Sequence, residues 1–175
     1  MKLPEGRLCR RRVVTDLATP LSRALEDSFT GYARLVPQDA LLLDSDSAGI
    51  LTFDRGIPVI AYHTGTGCGG TDALADIAVA GPYRVELYNL DREALATVHD
   101  MSELTVEPGT PAEQLAGVTE LAQQTRDRAP DERVDQESSQ HAVEAFLEDE
   151  ERIAEIQDAA RQEAQKRASE WGFDN

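Results

Sequence analysis

The sequence predicts an α+β fold: a small antiparallel sheet with one or two packed helices, followed by an acidic helical C-terminal region with a long helix. Two observations predict the sheet and its helix. Short segments rich in β-branched and aromatic residues alternate with turn residues in the first half of the chain. Ahead of them, apolar side chains recur every fourth residue from Leu17 to Phe29, which is typical of an amphipathic helix.

The helix 17–29 is expected to begin near Thr19, which would cap its N-terminus with Pro20 at the first helical position. Short strands are expected at 32–36 and 40–43. The acids Asp44 and Asp46 that follow are typical of a turn, because short polar side chains bond to their own backbone.

A β-hairpin is predicted from 50–53 and 57–62, joined by a three-residue loop of Asp54, Arg55 and Gly56. Glycine supplies the left-handed conformation that such a loop needs. Pro58 lacks an N–H group, so it must lie near a strand end or on an edge strand.

Further elements follow in order: a helix at 71–79, an alternating and half-buried strand at 83–87, a helix at 92–99 and one last strand at 104–106. Thr110 is expected to cap a short helix, and helical character continues over residues 118–128. The expected domains are an α+β domain at 8–106, short helices with a polar linker at 107–137, and a long helix at 138–172.

The long helix carries apolar residues at partly heptad-like spacing, but Asp149 and Glu163 interrupt the pattern, so a coiled coil would be weak. Its exposed apolar residues would need a partner. The expected partner-binding residues are Phe146, Ile153, Ile156, Trp171 and Phe173.

The formal net charge of −16 is distributed unevenly along the chain. Residues 1–90 hold 11 acidic and 9 basic residues, whereas residues 91–175 hold 22 and 8. Lys2 and Lys166 are the two lysines among the 17 basic residues. An acid-rich, lysine-poor surface is typical of salt-loving archaea, where concentrated salt screens self-repulsion. The alternative is an acidic tail that engages a basic partner.

The loop 65–70 matches G-x-G-x-x-G through Gly65, Gly67 and Gly70, between a predicted strand and a helix. Nucleotide or small-ligand binding is therefore one alternative function. Against it, the following helix is short and the preceding strand belongs to a hairpin. Backbone geometry explains the glycines at least as well.

Cys68 lies in this loop near His63, and a nucleophile pair of the two is conceivable. No third orienting residue can be placed, so a bystander thiol is favoured. The histidines His63, His99 and His141 lie far apart, and neither they nor the acids at 44–54 have the spacing of a metal site. No cofactor is expected.

Arg10, Arg11 and Arg12 form the one basic cluster of the sequence. A DNA-associated regulator using this cluster is a second alternative, although the overall charge opposes nonspecific nucleic-acid binding. The competing interpretation is an N-terminal strand flanked by solvated arginines, which pair with the acidic second half.

The segment 30–90 is similar to the PATAN domain, also called DUF4388, whose hairpin reads G-x-L-x-F-x-x-G-x-[IV]-x-x-A. Gly49, Leu51, Phe53, Gly56 and Ala61 occupy positions of that pattern. The resemblance implies an interaction module of signalling proteins and brings no catalytic residue with it.

The sequence thus predicts a non-enzymatic adaptor or regulatory protein of a halophilic archaeon that binds another protein or a second copy of itself. No apolar run is long enough to span a bilayer, and no apolar signal core follows the first residues. A cytoplasmic location is therefore expected, and two cysteines without a disulfide framework agree with it.

Overall fold

The computed structural model describes residues 4–38, 47–130 and 133, all within one compact unit that spans residues 1–134. Five strands form one antiparallel sheet in the order β1-β5-β2-β3-β4. The strands are β1 (Arg7–Val14), β2 (Gly31–Pro37), β3 (Gly49–Asp54), β4 (Ile57–His63) and β5 (Tyr83–Asn89). The α-helices are α1 (Ala18–Glu26), α2 (Gly70–Ile77), α3 (Arg92–His99), α4 (Thr110–Ala116) and α5 (Thr119–Arg128), and a 3-10 turn spans Ser102–Leu104. The predicted α+β class is confirmed.

The main core lies on one face of the sheet, which we call the core face. Helices α1, α2, α4 and α5 cover it, and alternate strand residues such as Ala33, Leu35 and Val85 point into it. Leu21 and Leu25 of α1 enter the same cluster because their spacing puts them on one side of the helix. Residues from α4 and α5 join them: Ala112, Leu121 and Ala122.

The opposite, outer face is organised differently along the sheet. Over β3 and β4, Val98 of α3 packs near Ile60 in a smaller apolar cluster. Along β2 and β5 the outer face instead carries charged and aromatic side chains, among them Tyr32, Arg34 and Glu86. The outer face is therefore apolar over β3 and β4 and polar over β2 and β5.

The predicted hairpin is confirmed, but its loop is one residue shorter than expected. Asp54 pairs with Ile57 across the hairpin, so Arg55 and Gly56 alone form the loop, with φ angles of 50° and 86°. Two consecutive positive φ angles match the right-handed twist of the flanking strands. Pro58 lies on β4, an edge strand, as its missing N–H requires.

Two local expectations were wrong. The Thr19 side chain does not cap α1. Instead, the Thr19 N–H in the first turn of α1 donates a hydrogen bond of 3.2 Å to the Asp16 carboxylate. Residues 104–106 do not form a strand; Thr105 makes a single bridge to Ile60, after the 3-10 turn. The predicted strand 40–43 and the predicted helix 138–172 lie outside the described residues.

Candidate functional site: the arginine-rich half of the sheet

Strand β1 lies at the edge of the sheet, and its pairing with β5 divides the arginine run between two faces. Arg11 lies opposite Glu86, on the outer face. Arg10 and Arg12 lie opposite Leu87 and Val85, on the core face. Successive side chains of a strand point to opposite sides. The basic cluster of the sequence is therefore two separate basic sites in the structure.

On the core face, Arg10, Arg12 and Arg23 surround an opening between β1 and α1, which we call the β1–α1 groove. Its floor is formed by Val14, Pro20, Val85 and Leu87. The groove has a volume of about 50 Å³ and continues into an open cleft of about 650 Å³ that shares Arg10 and Arg23. An apolar floor with a basic rim can hold an apolar side chain flanked by acids.

The charges of this groove are largely uncompensated within the described residues. Arg10 and Arg12 form no ion pair there, and the Arg23 Nε lies 3.9 Å from Asp27 Oδ2 in an exposed i, i+4 pair. Such a pair contributes little. The groove therefore presents positive charge to solvent in a chain whose net charge is −16.

The far wall of the open cleft carries an ion pair. Asp54 Oδ2 lies 3.1 Å from an Arg92 terminal nitrogen, and the Asp54 side chain is 15% exposed. Asp54, which was expected to lie in the hairpin loop, is a largely buried member of an ion pair with Arg92 of α3. Asp44 and Asp46 lie outside the described residues.

On the outer face, three arginines surround the carboxylate of Glu86, and we call these four residues the Glu86 cluster. Glu86 Oε1 lies 2.8 Å from Arg11 Nε and 3.3 Å from Arg84 Nε, and Oε2 lies 3.6 Å from Arg34. The Tyr88 hydroxyl donates to Oε2 at 3.1 Å. The Glu86 side chain is 3% exposed, so one buried carboxylate holds three guanidinium groups.

The two sites together make this half of the sheet strongly basic. Strands β1, β5 and β2 carry six arginines and one acid, Glu86, which gives a local net charge of +5. The rest of the chain must then carry −21. Sequence reasoning singled out Arg10, Arg11 and Arg12 but missed Arg34 and Arg84. The alternation of Arg84, Glu86 and Tyr88 on one predicted strand was the available signal.

The loop 65–70 is folded back on itself rather than open to a ligand. The Gly67 N–H donates to the His63 carbonyl at 2.9 Å, and the His63 N–H donates to the Cys68 carbonyl at 3.0 Å. Asp72 lies in the first turn of α2, where a phosphate would have to bind. These contacts disfavour a phosphate cradle, which needs outward amide groups and no acid at the helix start.

His63 is bound by a polar network, and Cys68 does not contribute its thiol to it. The ring Nε2 lies 3.0 Å from Ser47 Oγ, and Nδ1 lies 3.0 Å from Thr66 Oγ1. Thr66 in turn donates to Asp76. In a hydrolytic triad the carboxylate bonds directly to the ring, whereas Asp76 lies 3.8 Å away with Thr66 between them. The network therefore fixes the loop to α2, and the conceivable Cys68–His63 pair is not formed.

His99 provides a pH-dependent contribution to stability. Its Nε2 lies 3.0 Å from Thr52 Oγ1, and burial lowers the pKa of His99 below its usual 6.5, partly opposed by Asp54. Below pH 6.5 the unfolded chain then binds more protons than the folded one, so stability should fall as the pH drops from 6.5 towards the lowered pKa. His99→Asn should flatten this part of the profile of urea midpoint against pH. Identical profiles for the variant and the wild type would contradict the prediction.

The remaining expectations of the sequence concern metal binding, membrane spans and the C-terminal partner-binding residues. Among the described residues, no three histidine, cysteine or acidic side chains are grouped to hold a metal ion. In that same part of the chain no helix is both long and apolar enough to cross a membrane. His141 and the predicted partner-binding residues lie outside the described residues: Phe146, Ile153, Ile156, Trp171 and Phe173.

Among the comparisons with known proteins, one family model matches nearly the whole chain. No curated protein and no solved structure matches it significantly. The family model that matches is described as "Domain of unknown function (DUF8572)", and the match spans residues 2–173. The resemblance to the PATAN domain was therefore wrong as a family assignment: glycines and apolar residues of a hairpin followed by a helix recur wherever that local geometry does. The chain belongs to the DUF8572 family.

Proposed function

We propose that this protein is a non-enzymatic interaction module that binds an acidic segment of a partner protein in the β1–α1 groove. The observation that carries the proposal is the pair Arg10 and Arg12, which have no ion-pair partner among the described residues although the chain is strongly acidic. Charge complementarity of this kind favours association with one class of partner and suppresses others.

The shape of the groove narrows the class of segment that can bind. Val85 and Leu87 form part of an apolar floor, and the rim arginines stand around it. An extended segment with acidic residues two positions before and two positions after a valine or leucine would satisfy both features, because alternate side chains of a strand point to the same side. Interface energy concentrates where an apolar side chain is buried inside a polar rim.

Among the described residues no strand pairs with the other edge of β1, so such a segment can lie alongside it. On the outer face of β1, the side chains of Leu8 and Val13 are 43% and 64% exposed. Two copies of this chain joined through β1 would place arginine near arginine, and like charges facing each other across strands are destabilising. A separate acidic partner is therefore favoured over a second copy.

We place this module among regulatory adaptors of the cytoplasm, and the acid-rich, lysine-poor composition supports a salt-adapted cell as its source. The nucleotide-sensor alternative loses support from the inward hydrogen bonds of the loop 65–70. The DNA alternative loses support because Arg11 faces away from Arg10 and Arg12, so the three do not form one basic stripe.

An eight-residue peptide, as long as strand β1, tests the proposal by fluorescence anisotropy. Glutamate and valine take turns at every second position of the peptide, with serine between them, so that both residue types point to the groove. We expect the full chain to bind it, and Arg12→Glu to weaken binding by roughly tenfold, about 1.4 kcal/mol. The affinity should also fall as salt rises.

Arg11→Gln is the matched control, because Arg11 is the neighbouring arginine on the opposite face; it should leave the peptide affinity within about twofold. Equal binding of the same peptide with glutamine in place of glutamate would overturn the proposal. So would self-association of the chain that Arg12→Glu abolishes, since the occupant would then be a second copy.

A further inference from the structure

We propose that the Glu86 cluster, on the outer face of the sheet, is a binding site for the phosphate group of a nucleoside monophosphate. The site is separate from the β1–α1 groove, because alternation along β1 sends Arg11 to the opposite side from Arg10 and Arg12. The two sites use no residue in common.

The first argument is charge. Three guanidinium groups lie within 3.6 Å of one carboxylate, so two positive charges remain uncompensated. Arg11 and Arg34 lie directly opposite Glu86 on the two neighbouring strands, and Arg84 precedes it by two residues on the same face. A phosphate monoester carries a charge of about −1.5 to −2 near neutral pH, which matches this excess.

The second argument is the supply of hydrogen-bond donors. Arg11 and Arg84 approach Glu86 through Nε, so their terminal nitrogens make no hydrogen bond with other described residues. The Arg84 Nε is itself buried without a well-formed hydrogen bond. Guanidinium groups bind phosphate through paired donors, and here two such groups stand side by side with donors to spare.

The third argument is access from solvent and a neighbouring aromatic surface. The Arg11 side chain is 59% exposed. Next to the arginines on the same face, the rings of Tyr32 and Tyr88 stack with centroids 4.7 Å apart, and both side chains are half-buried. Two residues along a strand correspond to about 6.6 Å. This spacing lets a base contact the ring surface while its phosphate contacts the arginines, and stacking on aromatic side chains tolerates every base.

Glu86 has a defined part in this site. Its carboxylate holds the three arginines in place and competes with weakly charged anions for them. A doubly charged phosphate monoester competes for the arginines better than chloride or a single carboxylate because its charge is higher. The site should therefore select phosphate monoesters from the background of monovalent anions.

Isothermal titration of the full chain with inorganic phosphate, AMP and adenosine tests the proposal. AMP should bind more tightly than phosphate, and adenosine should not bind measurably. Arg34→Gln and Arg84→Gln should each weaken AMP binding by about tenfold. Arg12→Gln, on the same strand as Arg11 but on the other face, should leave AMP binding unchanged and serves as the matched control.

Tyr32→Leu keeps all three arginines and the hydrogen bond from Tyr88 to Glu86, and it tests the aromatic part: the AMP affinity should fall to that of phosphate, which itself should not change. This variant also keeps the proposal testable if an arginine variant fails to fold. A single-stranded oligoadenylate titrated in parallel distinguishes free nucleotide from RNA as the source, because RNA binding would show a steep dependence on salt. Absence of binding by both phosphate and AMP, or loss of binding in Arg12→Gln with retention in Arg84→Gln, would overturn the assignment.

Discussion

Glu86→Ala is expected to lower the free energy of unfolding by about 3 kcal/mol, at the lower end of the range for breaking a buried ion pair. The carboxylate is almost fully buried and is the shared ion-pair partner of Arg11, Arg34 and Arg84. Without it, three like charges on adjacent strands repel one another, and the guanidinium N–H groups that face Glu86 lose their acceptor. The partial exposure of the arginines keeps the loss from being larger.

Urea unfolding of the variant and the wild type at low and high salt measures this effect. Added salt screens repulsion between the arginines, so the loss should shrink as salt rises. Glu86→Gln keeps the size of the side chain and isolates the charge; most of the loss should remain. The matched control is Glu113→Ala, which removes an exposed partner of Arg126 and should cost at most about 1 kcal/mol. Equal losses for Glu86→Ala and Glu113→Ala would contradict the argument.

The local elements of the fold were predictable because their signals are local. The residue pattern around Arg55 and Gly56 identified the hairpin, and the periodicity after Leu17 identified α1. The prediction of 92–99 as a helix agrees with the residues of α3. Smaller errors came from interactions between residues close in sequence. Asp54 pairs with Ile57, so the loop has two residues rather than three, and the Asp16 side chain rather than that of Thr19 accepts a hydrogen bond at the start of α1.

The candidate sites could not be predicted because they depend on long-range pairing. Alternation alone shows that Arg84, Glu86 and Tyr88 share a face of one strand. It does not show that β1 pairs with β5, which brings Arg11 opposite Glu86 across about 75 residues of sequence. The register of that pairing also decides that Arg10 and Arg12 face α1.

The same reasoning explains why the PATAN resemblance failed while the fold class held. Gly49, Phe53 and Gly56 report backbone and packing requirements of a hairpin next to a helix. Those requirements are shared by unrelated families. The residues that distinguish this chain are the arginines on β1, β2 and β5, and no part of the glycine pattern specifies them.

Gly31→Ala is expected to be more damaging than the loss of Glu86, at roughly 4 kcal/mol, because it combines backbone strain with a collision. Gly31 begins β2 with a φ of 149°, which residues with a side chain rarely adopt. A Cβ there would lie 2.0 Å from the Tyr88 carbonyl oxygen. That oxygen belongs to the neighbouring strand β5, so relief would require the central strands to separate.

Gly117→Ala is the control that separates strain from collision. Gly117 follows α4 with a φ of 64°, and a Cβ there would meet nothing within 4 Å. This variant should therefore lose only the cost of a left-handed alanine, about 1 kcal/mol. Comparable losses in thermal unfolding for the two variants would mean that the β2–β5 contact at Gly31 is looser than described. A much larger loss for Gly31→Ala would show that this glycine is required by the close approach of the strands that carry the Glu86 cluster.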